Sequence, residues 1–110
     1  MGEKSAELLR GTLDLLILKT LELEPRHGVA VADRIAQITK GTFVVKPGSL
    51  FPALHRLERD GFIAGQWGET REGRRAKVYT LTAAGRKQLG IERRNWLRVS
   101  LAVGQVLETE

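Results

Sequence analysis

The sequence predicts a mainly α-helical protein with one small β-hairpin. Three observations lead to this fold class: a leucine-rich segment that stops before Pro25, a stripe formed by Leu50, Leu54 and Leu57, and two strand-like segments around a glycine-containing loop. The 110 residues and 12.2 kDa allow one small domain, and the 42% hydrophobic and 28% charged residues are close to the globular average. A chain of this size buries one modest core, and such domains often gain stability by forming oligomers.

The first half of the chain predicts two helices followed by a short extended segment. Thr12 is a good N-cap for the first helix, and Pro25 ends it. Leucines lie nearly all round this helix, so it must be covered on most sides, and in so small a chain a second subunit can supply one of the covers. Residues 29–39 have the apolar spacing of a second helix that Gly41 stops, and the β-branched residues 42–45 predict a short strand.

A third helix is predicted with Ser49 as its N-cap and Gly61 at its end. Its leucines recur at helical spacing, so the side that carries them faces the core. The opposite side is the outward face, and it carries a proline, a histidine and two arginines: Pro52, His55, Arg56 and Arg59.

A β-hairpin and a long final helix follow. The strand candidates, residues 63–67 and 77–81, flank an arginine-rich loop, and like charges in a short loop repel one another without an anionic partner. Thr82 caps the final helix, which runs to about residue 106 and carries apolar residues at heptad spacing. This spacing predicts packing against another helix. The residues predicted to form a homodimer interface, from the first and last helices, are Leu13, Leu16, Ile17, Leu89, Trp96, Val99, Val103 and Val106.

The order of these elements is that of a winged helix-turn-helix over residues 1–84, followed by a helix over residues 85–110 that is predicted to pack against another helix. In that architecture the third helix fits the major groove of double-stranded DNA, and the hairpin lies on the backbone or enters the minor groove. The charge distribution agrees, because residues 41–90 hold nine basic and four acidic side chains, the whole net charge of +5. The residues predicted to contact DNA are Lys46, Ser49, Phe51, Pro52, His55, Arg56, Arg59, Arg71, Arg74, Arg75 and Lys77.

These features also have alternative interpretations that the sequence leaves open. The arginines of the third helix can form a solvated face with Glu58 and Asp60 as partners, and His55 can be a surface or packing residue. The alternative function is a winged-helix module that binds protein or RNA without DNA specificity. An enzyme is not indicated, because the chain has no cysteine, no metal-ligand spacing and no grouping of a nucleophile with histidine and carboxylate. No metal and no cofactor are therefore predicted.

The sequence also bears on the cellular compartment. It contains no apolar run of about 18 residues, which a membrane-spanning helix would need. Residues 1–10 are polar and mixed in charge, unlike a signal peptide. We therefore expect a cytoplasmic protein without a membrane partner.

Residues 48–61, GSLFPALHRLERDG, resemble the signature helix of PadR-type transcriptional regulators. Residues 10–18, the pair His27-Gly28 and residues 73–85 are similar to the other blocks of that family in the same order, so the resemblance covers about residues 8–90. It implies a homodimeric, repressor-like regulator in which each subunit places its third helix and wing on half of a palindromic site. It also implies the compact form of the family, in which residues 85–110 form a single C-terminal dimerisation helix that crosses the partner's first helix.

The chain departs from the family pattern at two positions. Family members usually have tyrosine where Phe51 stands, and the resemblance implies that the tyrosine hydroxyl donates a hydrogen bond to a DNA phosphate. They also often have tyrosine at the position of Val29. Because family members commonly respond to a small molecule, the resemblance further implies an unidentified effector. A helix-lined space near Trp96 could hold an apolar ligand.

Overall fold

The computed structural model describes the backbone of residues 2–110 and the side chains of residues 11–110. Over these residues the chain forms four helices and a three-stranded antiparallel sheet in the order β1-β3-β2. This confirms the predicted winged-helix fold class. The elements are α1 (Gly2–Leu23), β1 (Arg26–His27), α2 (Gly28–Ile38), α3 (Pro47–Arg59), β2 (Ile63–Glu69), β3 (Arg75–Leu81) and α4 (Ala83–Leu107).

The core lies where α1, α2 and α3 meet the base of the β2–β3 hairpin. Ile17 and Leu18 of α1, Val31 of α2, Leu54 of α3 and Ile63 of β2 are all fully buried there. Burying each of these side chains contributes up to about 1.5–3 kcal/mol. The predicted leucine stripe of α3 is confirmed as the side of the helix that faces the core.

The predicted start of the first helix is wrong. Thr12 lies inside α1, which begins at Gly2, and is therefore not an N-cap. Residues 3–9 are rich in glutamate, alanine and leucine, which are strong helix formers, so the helix continues toward the N-terminus. Gly11 does not stop it, because one interior glycine costs only about 1 kcal/mol.

The start of α3 also differs from the prediction. Lys46 is the N-cap and Pro47 is the first helical residue, so Ser49 lies within the first turn. The amides of Ser49 and Leu50 donate to the carbonyl oxygen of Lys46 at 3.0 and 2.9 Å. Proline fixes its own φ near the helical value, and this favours Pro47 as the first residue even though Lys46 makes no side-chain cap. Gly61, with φ of +82°, ends the helix as expected.

The third strand of the sheet is not where the sequence places it. Residues 42–45 form no strand, and Val45 is instead buried against the helices. The added strand is β1, whose two residues pair with β3 in the register Arg26 to Tyr79 and His27 to Val78. A strand of two residues carries no periodicity, so the sequence offers no signal for it.

The hairpin and α4 follow the prediction closely. Each strand extends two residues further toward the tip than expected, and Thr82 caps α4 by accepting a hydrogen bond from the amide of Gly85 at 3.0 Å. Gly85 and Leu89 are the buried residues of α4. Beyond Leu89 the described side chains of this helix are exposed or partly exposed, so its C-terminal half extends away from the core.

Candidate nucleic-acid interface

The exposed face of α3 begins at its N-terminus. Lys46, Ser49, Pro52 and His55 are all exposed, as the outward position on the helix predicts. Phe51 is 36% exposed, so its ring is shared between the core and the surface. The face thus combines polar groups, a cation and part of an aromatic ring around the first two turns.

Arg56 is not free on this face. Its Nη2 donates to Oδ1 of Asp14 in α1, and both side chains of the pair are about one-fifth exposed. Arg59, one turn later, is 74% exposed and lies 3.7 Å from Asp60 at the helix end. Of the two predicted arginines, Arg59 is therefore available to an external anion, whereas Arg56 joins α3 to α1.

Glu58 and Lys77 connect α3 to the hairpin. Nζ of Lys77 donates to Oε1 of Glu58 at 2.8 Å, and the amide of Gly65 donates to Oε2 of the same carboxylate at 3.3 Å. The hydrogen bond to Glu58 raises the pKa of Lys77 above its ordinary value. Any side chain at Gly65 would collide with Lys77. Lys77, predicted to contact DNA, is thus engaged within the protein.

The tip of the hairpin, residues 70–74, is a compact turn that presents two arginines. The amide of Thr70 donates to the carbonyl oxygen of Arg74 at 2.8 Å, and the amide of Arg74 donates back to Oγ1 of Thr70 at 3.2 Å. Gly73 has φ of +74°, which this turn requires. Arg71 and Arg74 are exposed, and within the described part of the chain no carboxylate lies within 4 Å of either.

Trp67 is a functional candidate that is absent from the residues predicted to contact DNA. Its ring is 57% exposed, and the guanidinium carbon of Arg75 lies 4.9 Å from the ring centroid. Nζ of Lys77 lies 5.9 Å from the same centroid. The sequence could have indicated this, because side chains alternate between the two faces of a strand and the hairpin pairs Trp67 with Lys77, so both lie on the same face.

A cleft of about 780 Å³ brings the helix and the hairpin together. Phe51 and His55 of α3 line one side of it, and Trp67, Arg75 and Lys77 of the hairpin line the other. Arg74 stands at the same cleft. Two segments that are separate in the sequence therefore share one exposed, basic and partly aromatic surface.

The predicted dimer-interface residues divide into two groups. Leu13, Ile17 and Leu89 are buried in the core of a single chain, so their side chains are not available to a second subunit. The remaining residues are at least partly exposed; they are Leu16, Trp96, Val99, Val103 and Val106.

A second cleft, of about 660 Å³, lies between α1 and α4. Leu15 and Leu16 line it from α1, and Leu89, Trp96 and Leu97 line it from α4. Its walls are largely apolar, with Lys19 and Arg93 among the lining residues. Trp96 lines this cleft of the single chain, whereas the predicted effector space belongs to a dimer, so that space and its occupation by an effector stay a prediction.

Comparison with known proteins identifies the family. A family model described as "Transcriptional regulator PadR-like family" matches residues 17–91. The chain belongs to the PadR-like family of transcriptional regulators. A transcriptional regulator of Mycobacterium tuberculosis is 34% identical to this PadR-like protein over 88 residues, which are 80% of this chain and 78% of the relative.

Solved structures of other regulators have the same fold. A PadR family transcriptional regulator from Eggerthella lenta is 30% identical and superposes with a TM-score of 0.83 over 99% of this chain and 93% of its own. A transcriptional regulator from Clostridium thermocellum is 26% identical, with a TM-score of 0.83 over 90% of this chain and 96% of its own. The PadR-like fold therefore includes α4 as well as the winged domain.

Metal-binding clusters and membrane-spanning helices are both absent from the described residues of this PadR-like protein. No group of three or more histidine, aspartate or glutamate side chains is arranged there to hold a metal ion. No helix among the same residues is long and apolar enough to cross a membrane.

Proposed function

We propose that this PadR-like regulator is a cytoplasmic, homodimeric repressor that binds a palindromic operator. Each subunit places α3 in the major groove and the tip of its hairpin on the backbone or in the minor groove. Residues 1–84 supply the DNA-binding part, and residues 85–110 supply the dimerisation helix.

The observation that carries the proposal is the cleft shared by α3 and the hairpin. Phe51 and His55 of α3 line it together with the hairpin cations Arg74, Arg75 and Lys77. Arg59 of α3 and Arg71 of the hairpin tip lie outside this lining and are exposed. Within the described chain no carboxylate lies within 4 Å of Arg71 or Arg74. Groups of this kind neutralise phosphates and release counterions. The exposed first turn of α3 supplies polar contacts that fix its position on the backbone.

The exposed apolar side of α4 supports the homodimer. Val99, Val103 and Val106 are 49%, 51% and 74% exposed, and Trp96 is 48% exposed. Apolar side chains that recur along one helix in this way are covered in soluble proteins by another helix. A twofold dimer would bind two half-sites about 10 base pairs, or roughly 34 Å, apart.

Selection of bound sequences from a random pool of duplex DNA tests the proposal directly. We expect enrichment of an inverted repeat with half-sites one helical turn apart, and tight binding that weakens steeply with salt. Absence of any retained fragment at low salt would contradict DNA binding and favour a module that binds protein or RNA. An enriched site without twofold symmetry would contradict only the palindromic operator.

The exposed arginines of the hairpin tip give a sharper test. The double variant Arg71→Gln, Arg74→Gln should weaken binding to cognate and random DNA alike. It should also reduce the slope of log K against log salt by about one for each phosphate that is no longer neutralised. The double variant Lys87→Gln, Arg94→Gln, which removes two exposed cations of α4, is the control for the same change of net charge. Equal effects of the tip and control variants would show that the hairpin tip does not contact the backbone.

A further inference from the structure

We propose that Trp67 is a positioning residue of the protein–DNA interface, where it holds the guanidinium of Arg75 against its ring and so directs that charge toward the DNA backbone. The inference rests on the proposed DNA binding. It adds Trp67 to the site, and it assigns different tasks to Arg75 and Lys77.

The register of the hairpin places Trp67 on the side that faces α3. Trp67 pairs with Lys77, and two residues further along each strand Gly65 pairs with Tyr79. Alternate residues of a strand lie on the same face, and Tyr79 is buried in the core. Trp67 therefore extends the core-facing side of the hairpin beyond the core, to the point where that side borders the cleft with Phe51.

The two cations beside Trp67 differ in what else they bind. Lys77 donates to Glu58 at 2.8 Å, so its charge is compensated within the protein. Arg75 lies closer to the ring, at 4.9 Å, and no carboxylate of the described residues lies within 4 Å of it. Of these two cations, Arg75 is the one that can neutralise a phosphate.

Contact with an aromatic ring leaves the chemistry of the guanidinium intact. A guanidinium carries five N–H donors, and a cation held 4.9 Å from a ring centroid keeps donors that can bind phosphate oxygens. Arginine otherwise loses much rotamer freedom when it binds. Trp67 restricts the rotamers of Arg75 in the free protein. Arg75 therefore loses less side-chain entropy when DNA binds.

The exposure of Trp67 is consistent with this role. A ring that is 57% exposed is a poor core residue, and its free surface is open to the solvent at the mouth of the cleft. DNA bound along α3 and the hairpin would cover that surface. The fluorescence of Trp67 should therefore respond to DNA.

The first experiment uses that fluorescence. The chain has two tryptophans, so Trp96→Phe leaves Trp67 as the single emitter and Trp67→Phe leaves Trp96. Titration with the selected duplex should quench or shift the emission of the Trp96→Phe protein, with little change in the Trp67→Phe protein. Anisotropy of labelled DNA measures binding in parallel. Binding without any response from Trp67 would overturn the inference.

The second experiment is a double-mutant cycle that leaves Trp96 in place. Trp67→Leu should weaken DNA binding about two- to fivefold per wing with little change in the salt slope, because Arg75 remains but is less restricted. Arg75→Gln should lower the slope by about one per subunit. In a protein that already carries Arg75→Gln, adding Trp67→Leu should weaken DNA binding little further. In a chain that keeps Arg75, Trp67→Phe should bind DNA almost as tightly as the unmodified protein, because phenylalanine retains an aromatic ring.

A matched control and the contrary outcomes complete the test. Gln66→Leu changes an exposed residue on the opposite face of the same strand and should leave DNA affinity unchanged. Fully additive effects of Trp67→Leu and Arg75→Gln would overturn the positioning role, and so would equal losses from Trp67→Leu and Gln66→Leu. Failure of the unmodified protein to bind any DNA would instead contradict the proposed function.

Discussion

Arg56 illustrates what the position of a residue on a helix can and cannot predict. The spacing of α3 correctly places it away from the leucine stripe, but the partner that decides its role, Asp14, is 42 residues earlier in the sequence. An ion pair between two elements depends on how those elements pack, and a single helix carries no information about that. The outward face of α3 is therefore smaller than the sequence predicts, and its exposed arginine is Arg59, which lies 3.7 Å from Asp60.

We expect Arg56→Ala to lower the free energy of unfolding by about 1–2 kcal/mol, because it leaves Asp14 partly buried without its cation. Under conditions where the Arg56→Ala protein is folded, its ratio of affinities for cognate and random DNA should equal that of the unmodified protein. Arg59→Ala is the matched control, with unchanged stability and weaker DNA binding. Urea unfolding and anisotropy titrations measure the two quantities, and loss of specificity by a stable Arg56→Ala protein would contradict this assignment.

Phe51 is the second residue whose role can be tested alone. The residue is 36% exposed and lines the cleft, so it borders the surface proposed to meet DNA. If tyrosine at this position donates to phosphate, Phe51→Tyr should tighten binding about two- to tenfold, the effect of one hydrogen bond of about 0.5–1.5 kcal/mol. Anisotropy on a fixed duplex measures this, and unchanged affinity would place residue 51 outside hydrogen-bonding reach of the backbone.

At the scale of elements, the hairpin is oriented by contacts at its base rather than at its tip. Glu58 binds both the side chain of Lys77 on β3 and the backbone of Gly65 on β2, so one carboxylate of α3 fixes both strands. The tip is held only by its own turn. This arrangement gives a wing whose direction is fixed while Arg71 and Arg74 at its tip stay free to adjust.

The pH dependence of stability should report on this hairpin. The hydrogen bond to Glu58 raises the pKa of Lys77, and burial raises the pKa of the Tyr79 phenol. The folded chain therefore keeps both protons to a higher pH than the unfolded chain. Below about pH 10 these two groups do not lower the free energy of unfolding, and above about pH 10 they lower it as the pH rises. Urea midpoints measured from pH 8 to about 11 should decline, and Tyr79→Phe should make the decline shallower.

Helical spacing and turn residues predict most of the elements because those signals are local. The structure confirms three of these local signals: the helix cap at Thr82, the helix end at Gly61 and the buried leucine stripe of α3. The start of α1 was missed because a threonine after glycine also fits a helix interior. The strand β1 was missed because its pairing is created by the packing of α2 against the hairpin.

The same distinction holds for the candidate site. The arginines of the hairpin tip and the exposed face of α3 follow from local pattern, and the structure brings Arg74 of the tip and His55 of α3 to one cleft. The engagement of Arg56 and Lys77 with carboxylates on other elements does not follow from it. Neither does the proximity of Arg75 to Trp67, which depends on the register of the hairpin.

For the whole molecule, the C-terminal half of α4 has more apolar surface than a single chain can cover. We expect Val103→Asp to shift the protein toward a monomer and to weaken operator binding, because a charge at an apolar helix interface is strongly unfavourable. Gln105→Asp places the same charge about 160° around the helix and should leave the dimer intact. Sedimentation velocity measures the assembly state, and a dimer unaffected by Val103→Asp would move the interface elsewhere.

The two-residue strand β1 has a consequence for exchanging wings between regulators. It pairs with β3, and it leads into Gly28, where an added Cβ would lie 3.0 Å from Leu54 and 3.4 Å from Phe51. A hairpin grafted from a relative would thus arrive without the residues Arg26, His27 and Gly28 that fit it against α3. Chimeras made to alter operator preference should transfer residues 26–28 along with the donor hairpin, as a single cassette.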